Sequence, residues 1–234
     1  MLTNDIDNQK TPIIQIAIDG PAGTGKSTIA KLLSDQLAIN YLDTGAMYRA
    51  FSLHAKESGV SGDAPDGALS DLFNSFGLEF DLVRVLLNGR DISALIRTPE
   101  IDKNVGAFAS RPIVRERMVQ LQRETSVGKN VVMEGRDIGT VVLPDTPYKF
   151  YLDASIDVRA QRRHTQNIQS GIDSDLDIIR TEIALRDELD STREASPLRI
   201  AEGSVYIDTS YITPIEVVEI IVDFVRDGER LSNG

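Results

Sequence analysis

The run Ile13 to Ile18 is apolar and rich in β-branched residues and ends at Asp19-Gly20, the pattern of a short buried strand closed by a turn. From Ser27 to Leu37 the spacing changes, and Ile29, Leu32, Leu33 and Leu37 recur at intervals that let them share one helix face. Strand, glycine-rich loop and helix are thus predicted in succession. Similar strand patterns stand at Asn130–Met133, Tyr148–Leu152 and Ser204–Ile207, each followed by polar or acidic residues and then helix-compatible sequence. Apolar strands separated by helices predict parallel βαβ units with right-handed crossovers. The expected class is α/β, a central parallel sheet flanked by helices.

Residues from about 64 to 111 break that rhythm. Leu78 to Leu87 with Asn88-Gly89 reads as an antiparallel hairpin bracketed by short helical stretches, a small insertion packed on the main sheet as a lobe. A second departure, about 155 to 193, is helical and carries Arg159, Arg162 and Arg163, which suits a lid. The polar stretch Met1 to Thr11 is expected to be a flexible tail on a single domain over 12–234.

Composition narrows the partners. The 234 residues are 41% hydrophobic and 26% charged, as in ordinary globular proteins, and nowhere do about 20 apolar residues run together. Asp and Glu number 36 against 25 Lys and Arg, a net charge of -11, which argues against nonspecific nucleic-acid binding. Cysteine is absent, which excludes disulfides, thiolate zinc sites and a cysteine nucleophile. A cytoplasmic monomer with neither nucleic-acid nor membrane partners is the expectation.

Gly20-Pro21-Ala22-Gly23-Thr24-Gly25-Lys26-Ser27 matches GxxxxGK[ST] in full, between a predicted strand and a predicted helix into which Thr28 leads. Glycines let the backbone wrap phosphates with its N–H groups, and the helix N-terminus adds partial positive charge. Lys26 would bridge the β- and γ-phosphates of ATP, and Ser27 would ligate Mg²⁺. The loop leaves open whether phosphate passes to water or to an acceptor, and no NKxD motif supports a GTPase.

Arginines elsewhere suggest an acceptor. Thr44, Tyr48 and Arg49 lie within two helical turns and suit a phosphate monoester, although a helix cap with a packed Tyr gives the same pattern. Arg136 and Asp137, bracketed by Gly135 and Gly139 just past a strand, could clamp a phosphate and contact a base, or form a surface pair. Arg186, Asp190 and Arg193 share a helix face, as they would in a salt-bridged helix. Arg162 and its neighbours could close over the transferred group or be a solvated basic face. Lys26, Arg136, Arg186 and Arg162 are the candidate catalytic residues. His54 and His164 show no metal-ligand spacing and receive no role.

IDGPAGTGKS, LDTGAMYR, the hairpin with IRTPEI, EGRDIGTVVLPDTPYKFYLDAS and LRDELDSTREASPL resemble bacterial cytidylate kinases in wording and order, from about Ile13 to the C-terminal region. The resemblance implies a P-loop kinase with an NMP-binding insertion and a lid, using ATP and Mg²⁺ to phosphorylate CMP or dCMP. It places Thr44, Tyr48 and Arg49 in the acceptor site, with Arg49 and Arg136 near the monophosphate. Arg115 and Asp137 would read cytosine, Arg186 and Arg193 would meet phosphates and base, and Asp190 would accept from the ribose. Gly106 stands where the family has a serine at the base. A kinase for UMP, AMP or a shikimate-like acceptor, or an ATP-binding regulatory protein, is the alternative.

Overall fold

The computed structural model describes residues 13–81 and 84–232; the expected N-terminal tail lies outside them. Strand β1 (Gln15–Asp19) leads through the glycine loop into helix α1 (Lys26–Leu37), then β2 (Asn40–Asp43) and α2 (Thr44–Glu57). After an intervening segment come α5 (Pro112–Ser126), β6 (Val131–Gly135), β7 (Tyr148–Asp153), the helices α6 (Ile156–Gln169) and α7 (Leu176–Thr192), β8 (Val205–Asp208) and α8 (Pro214–Ser232). The intervening segment holds α3 (Asp66–Leu72), β3 (Leu78–Asp81), β4 (Arg84–Leu87), β5 (Arg90–Asp91) and α4 (Pro99–Ala109).

Five strands pair in the order β2-β6-β1-β7-β8, every pair parallel, with Asp19 opposite both Gly135 and Tyr151. Alternation along β1 sends Ala17 to one face and Ile16 and Ile18 to the other, so each face needs its own apolar cover. One face packs on α2 and the insertion through Met47, Phe51, Leu69, Ile96 and Phe108. The other packs on α1 and α8 through Ile29, Leu33, Val217 and Ile221. Both faces are closed, and what stays open is the edge where the strands end.

The strands fall where the apolar runs put them, shifted by a residue or two. Ile13 is exposed and Asp19 is still in β1. Leu32, expected on the buried face of α1, is 36% exposed, because the contacts with the sheet run through Ile29, Ala30 and Leu33. The expected antiparallel hairpin is present and continues into a third strand. Leu78 pairs with Leu87 and Asp81 with Arg84. Asn88-Gly89 turns β4 into β5, with φ of 51° and 77° at the two residues, the geometry a two-residue turn of this handedness requires.

The insertion shares its core with the main sheet. Phe51 of α2 stacks on Phe73 at 4.5 Å and meets Phe76 and Phe108 edge-on. The α6–α7 pair has only a small core of Ala160, Ile179 and Ile183 of its own, so its position depends more on polar contacts across the cleft.

Candidate active site

The glycine loop is built by close approach. Gly20 has φ 146°, and a Cβ there would lie 2.0 Å from the Leu152 carbonyl oxygen of β7. Gly23 and Gly25 also have positive φ, and a Cβ on Gly23 would press on the Arg159 side chain at 3.1 Å. Lys26 is buried; its Nζ donates to the Pro21 carbonyl oxygen at 2.6 Å and reaches Thr24 Oγ1 at 3.4 Å. Burial, and then Arg136, push its pKa down to about 7. Pro21 is buried and Ala22 partly so, while Ser27 and Thr28 are exposed at the start of α1.

Carboxylates stand at or one residue before the ends of three adjacent strands. Asp19 ends β1 at 3% exposure and accepts from the N–H groups of Ile138 at 2.8 Å and Gly139 at 2.7 Å. It thereby anchors the π-helical turn Ile138–Val142 that follows Arg136 and Asp137. Burial raises its pKa to about 6 against the pull of those two N–H groups. Glu134 of β6 is buried beside the Ser27 hydroxyl and accepts from Tyr41 Oη at 2.6 Å; burial, then Asp43, raises its pKa. Asp43 of β2 caps α2, accepting from the Ala46 N–H at 2.8 Å. Glu134 was visible in the EGRD wording without a role, and Asp19 was visible as a charge closing an apolar strand, but only the fold brings them to Ser27 and to the turn at 138.

The acceptor-side residues converge. Tyr48 is buried, with the Arg115 guanidinium 5.4 Å from its ring centre. Arg115, 3% exposed, donates to Asp137 Oδ2 at 2.5 Å and to the Ala109 carbonyl oxygen at 3.0 Å. Arg136 donates through Nε to Asp190 Oδ2 at 2.7 Å, and Arg193 reaches Asp190 Oδ1 at 3.3 Å. Although burial opposes it, Arg136 followed by Arg186 and Arg193 holds the Asp190 carboxyl below its ordinary range. Arg115 Nε and Arg193 Nη2 are buried with no hydrogen-bond partner among the described residues. Two unmatched guanidinium nitrogens in one place are costly unless a ligand meets them.

Arg186 completes the set. It makes no ion pair or hydrogen bond among the described residues, and burial, then Arg136, lower its pKa to about 10, still charged at neutral pH. Arg49 donates to Asp102 Oδ1 at 2.8 Å. The Thr44 hydroxyl donates to the Glu134 carbonyl oxygen at 2.7 Å, fastening α2 to β6. A Cβ on Gly106 of α4 would meet nothing within 4 Å, so this position leaves open space.

Arg162 does not join the cluster. Its Nη2 and Nη1 donate to the Thr209 carbonyl oxygen at 2.6 Å and to Thr209 Oγ1 at 3.2 Å, and that hydroxyl donates to the Thr24 carbonyl oxygen at 3.0 Å. One turn of α6 separates it from Arg159, which braces the glycine loop through the Ala22 carbonyl oxygen at 3.2 Å and pairs with Asp187 at 2.6 Å. Arg163 crosses to Asp102 at 3.1 Å.

An open α/β sheet binds its ligands beyond the carboxyl ends of its strands, and here that edge carries a phosphate loop on one side and arginines on the other. This is the layout of a P-loop phosphotransferase. Comparison with known proteins narrows the class. The chain matches the cytidylate kinase family over residues 16–227 and belongs to it. It is 44% identical over 214 residues to the cytidylate kinase of Oceanobacillus iheyensis, covering 90% of this chain and 93% of the relative. To that of Shouchella clausii it is 46% identical over 220 residues, covering 92% and 97%. Among solved structures, an uncharacterized protein from Eubacterium ventriosum shares the fold at a TM-score of 0.50 and 14% identity, over 92% of this chain and 99% of that one.

Proposed function

We propose that the chain transfers the γ-phosphoryl group of ATP to a phosphate oxygen of CMP or dCMP, giving ADP and CDP or dCDP. Family membership supports the reaction, and one observation carries the choice of base. The buried Arg115–Asp137 couple sets a guanidinium donor beside a carboxylate acceptor under Tyr48, with Arg115 Nε still unmatched. Cytosine offers the complement, a ring carbonyl and nitrogen that accept and an amino group that donates. Uracil would turn a carbonyl toward Asp137, leaving a buried carboxylate against an acceptor.

On this reading Lys26 lies at the β- and γ-phosphates, while Arg136 and Arg186, which act electrostatically on Lys26, face the transferred group. Arg49 and Arg136 hold the acceptor phosphate, Asp190 and Arg193 hold its sugar and base side, and Thr44 fixes the helix that carries Tyr48 and Arg49. The attacking phosphate oxygen is already anionic, so the site needs no strong base. Charge neutralisation and in-line positioning are what the residues supply. A bond forms from that oxygen to the γ-phosphorus as the bond to the β,γ-bridging oxygen breaks, and Lys26, Arg136 and Arg186 neutralise the charge on the equatorial oxygens. The exposed Ser27 hydroxyl and the adjacent Glu134 carboxylate are hard oxygen donors suited to Mg²⁺, with Glu134 acting directly or through water. The ion would neutralise β- and γ-phosphate charge there.

The test is ADP formation from ATP and Mg²⁺ with CMP, dCMP, UMP, AMP, GMP or no acceptor. Turnover with CMP and dCMP well above the others is expected. Equal turnover with UMP would remove the role given to Arg115 and Asp137, and turnover without an acceptor would make the protein an ATPase.

A further inference from the structure

Asp102 lies in the first turn of α4 and joins three separate elements. Oδ1 accepts from Arg49 Nε of α2 at 2.8 Å, and Oδ2 accepts from Arg163 Nη2 of α6 at 3.1 Å. We propose that Asp102 is a displaceable counter-ion, a positioning residue that occupies the Arg49 guanidinium until the acceptor phosphate replaces it and that shares its charge with Arg163 of the lid. The inference rests on the reading of Arg49 as an acceptor-phosphate residue.

The contact has the strength such a role needs. Arg49 and Asp102 are 21% and 22% exposed, so the pair is formed yet within reach of an incoming ligand. A pair so placed contributes up to about 1 kcal/mol. A phosphate monoester carries more charge and more acceptor oxygens, and it also meets Arg136 and Arg186, so it wins the exchange. Burial works against the charge on Asp102, yet Arg49 and then Arg163 hold its carboxyl below the ordinary range. Two cations divide one carboxylate. Removing Arg163 should therefore strengthen the hold on Arg49, whereas removing Asp102 should release Arg49 altogether.

An ordinary structural role is also available to Asp102, since an acidic residue in the first turn favours a helix. Glu100 controls for it: it lies in the same turn, pairs with Lys56 at 2.6 Å and does not touch Arg49.

Steady-state kinetics of Asp102→Asn, Arg163→Gln, the double variant, Glu100→Gln and Arg49→Gln test the proposal. Asp102→Asn should lower KM for CMP about two- to fivefold and leave KM for ATP unchanged. Its kcat should stay within about twofold of the parent, because the contact opposes acceptor binding and is absent from the transition state. Arg163→Gln should raise KM for CMP, and that rise should vanish in the double variant, since the shared Asp102 carboxylate is the contact that joins Arg163 to Arg49 among the described residues. Glu100→Gln should leave KM for CMP unmoved. If Arg49→Gln raises KM for CMP while Asp102→Asn leaves it unchanged or raises it, Asp102 is structural and the proposal is wrong. If Arg49→Gln itself leaves KM for CMP unchanged, the assignment of Arg49 to the acceptor phosphate fails first.

Discussion

Replacing Asp19 by asparagine separates the charge of that side chain from its shape. The carboxylate is 3% exposed and accepts two backbone N–H bonds from the turn beyond Asp137, with Asp137 raising and Lys26 lowering its pKa in smaller measure. Burial outweighs the favourable bonds and lifts the pKa from 3.8 to about 6. A rise of about two pH units corresponds to about 3 kcal/mol of folding free energy. Because the folded-state value is the higher one, the linked stability is complete below the unfolded value and is lost as pH rises through 6. Integration over that window puts roughly half of the loss, about 1.4 kcal/mol, between pH 5 and pH 8.

Asparagine resembles the neutral acid in size and does not ionise. Urea unfolding of the nucleotide-free proteins at pH 5, 6, 7 and 8 should therefore show the variant gaining on the parent by about 1.4 kcal/mol across the range. Activity should move the other way. The amide nitrogen cannot accept, so the N–H of Ile138 or Gly139 loses its partner and the turn that aims Arg136 and Asp137 loosens. A fall of about tenfold or more in kcat/KM for CMP is expected from one lost hydrogen bond to a charged acceptor. A stability difference between the two proteins that is flat with pH, or that runs in the opposite direction, would refute the claim that Asp19 is held ionised at a cost.

Asp137→Asn should lower kcat/KM for CMP at least about tenfold and narrow the preference for CMP over UMP, read by competing the two acceptors; Asp137→Ala, which leaves Arg115 buried and unpaired, should in addition cost about 3–5 kcal/mol in urea unfolding. Lys26→Met should reduce kcat by about 10²–10³ at saturating ATP and CMP with little change in thermal midpoint, because a buried, partly desolvated ammonium is replaced by an apolar chain of similar length. Gly20→Ala should fail to give a folded soluble protein or should melt many degrees lower by circular dichroism, since its Cβ would collide with the Leu152 carbonyl oxygen at 2.0 Å.

What could be read in the chain is local. The glycine loop, the three longer apolar strands and the helix spacing of α1 depend on neighbours within a few residues, and they were recovered to within a residue or two. β2 escaped recognition as a strand because four residues, Asn40 to Asp43, are too few for a period and become a strand by pairing with β6 about 90 positions away. Asn88-Gly89 is a correct hairpin turn signal, although a dipeptide fixes backbone handedness and cannot say which strands it joins. Arg162, Arg159 and Arg163 read alike as a basic cluster, yet three directions along one helix send them to Thr209, to the glycine loop and to Asp102. The i,i+3 pairing of Asp190 with Arg193 is legible on one helix face, whereas contacts closed over long separations are not: Arg136 meets Asp190 across 54 residues, and Asp19 meets Ile138 across 119.

Those long-range carboxylates also bear on how an acidic protein can keep a basic cleft in waiting. Buried guanidiniums without counter-ions would repel one another and bear a desolvation cost, so the fold supplies Asp102 to Arg49, Asp190 to Arg136 and Arg193, and Asp137 to Arg115. On the proposed reading, the acceptor phosphate at Arg49 and Arg136 exchanges one anionic partner for another, and its affinity reflects the difference between the two rather than the whole attraction. Arg186 is the exception, charged beside Arg136 and without an ion pair or hydrogen bond among the described residues, Asp190 acting on it only at longer range. On that same reading, the anion that arrives there displaces no ion-paired carboxylate, which makes Arg186 the point of greatest electrostatic gain and the natural place for the charge that builds up as the phosphoryl group moves.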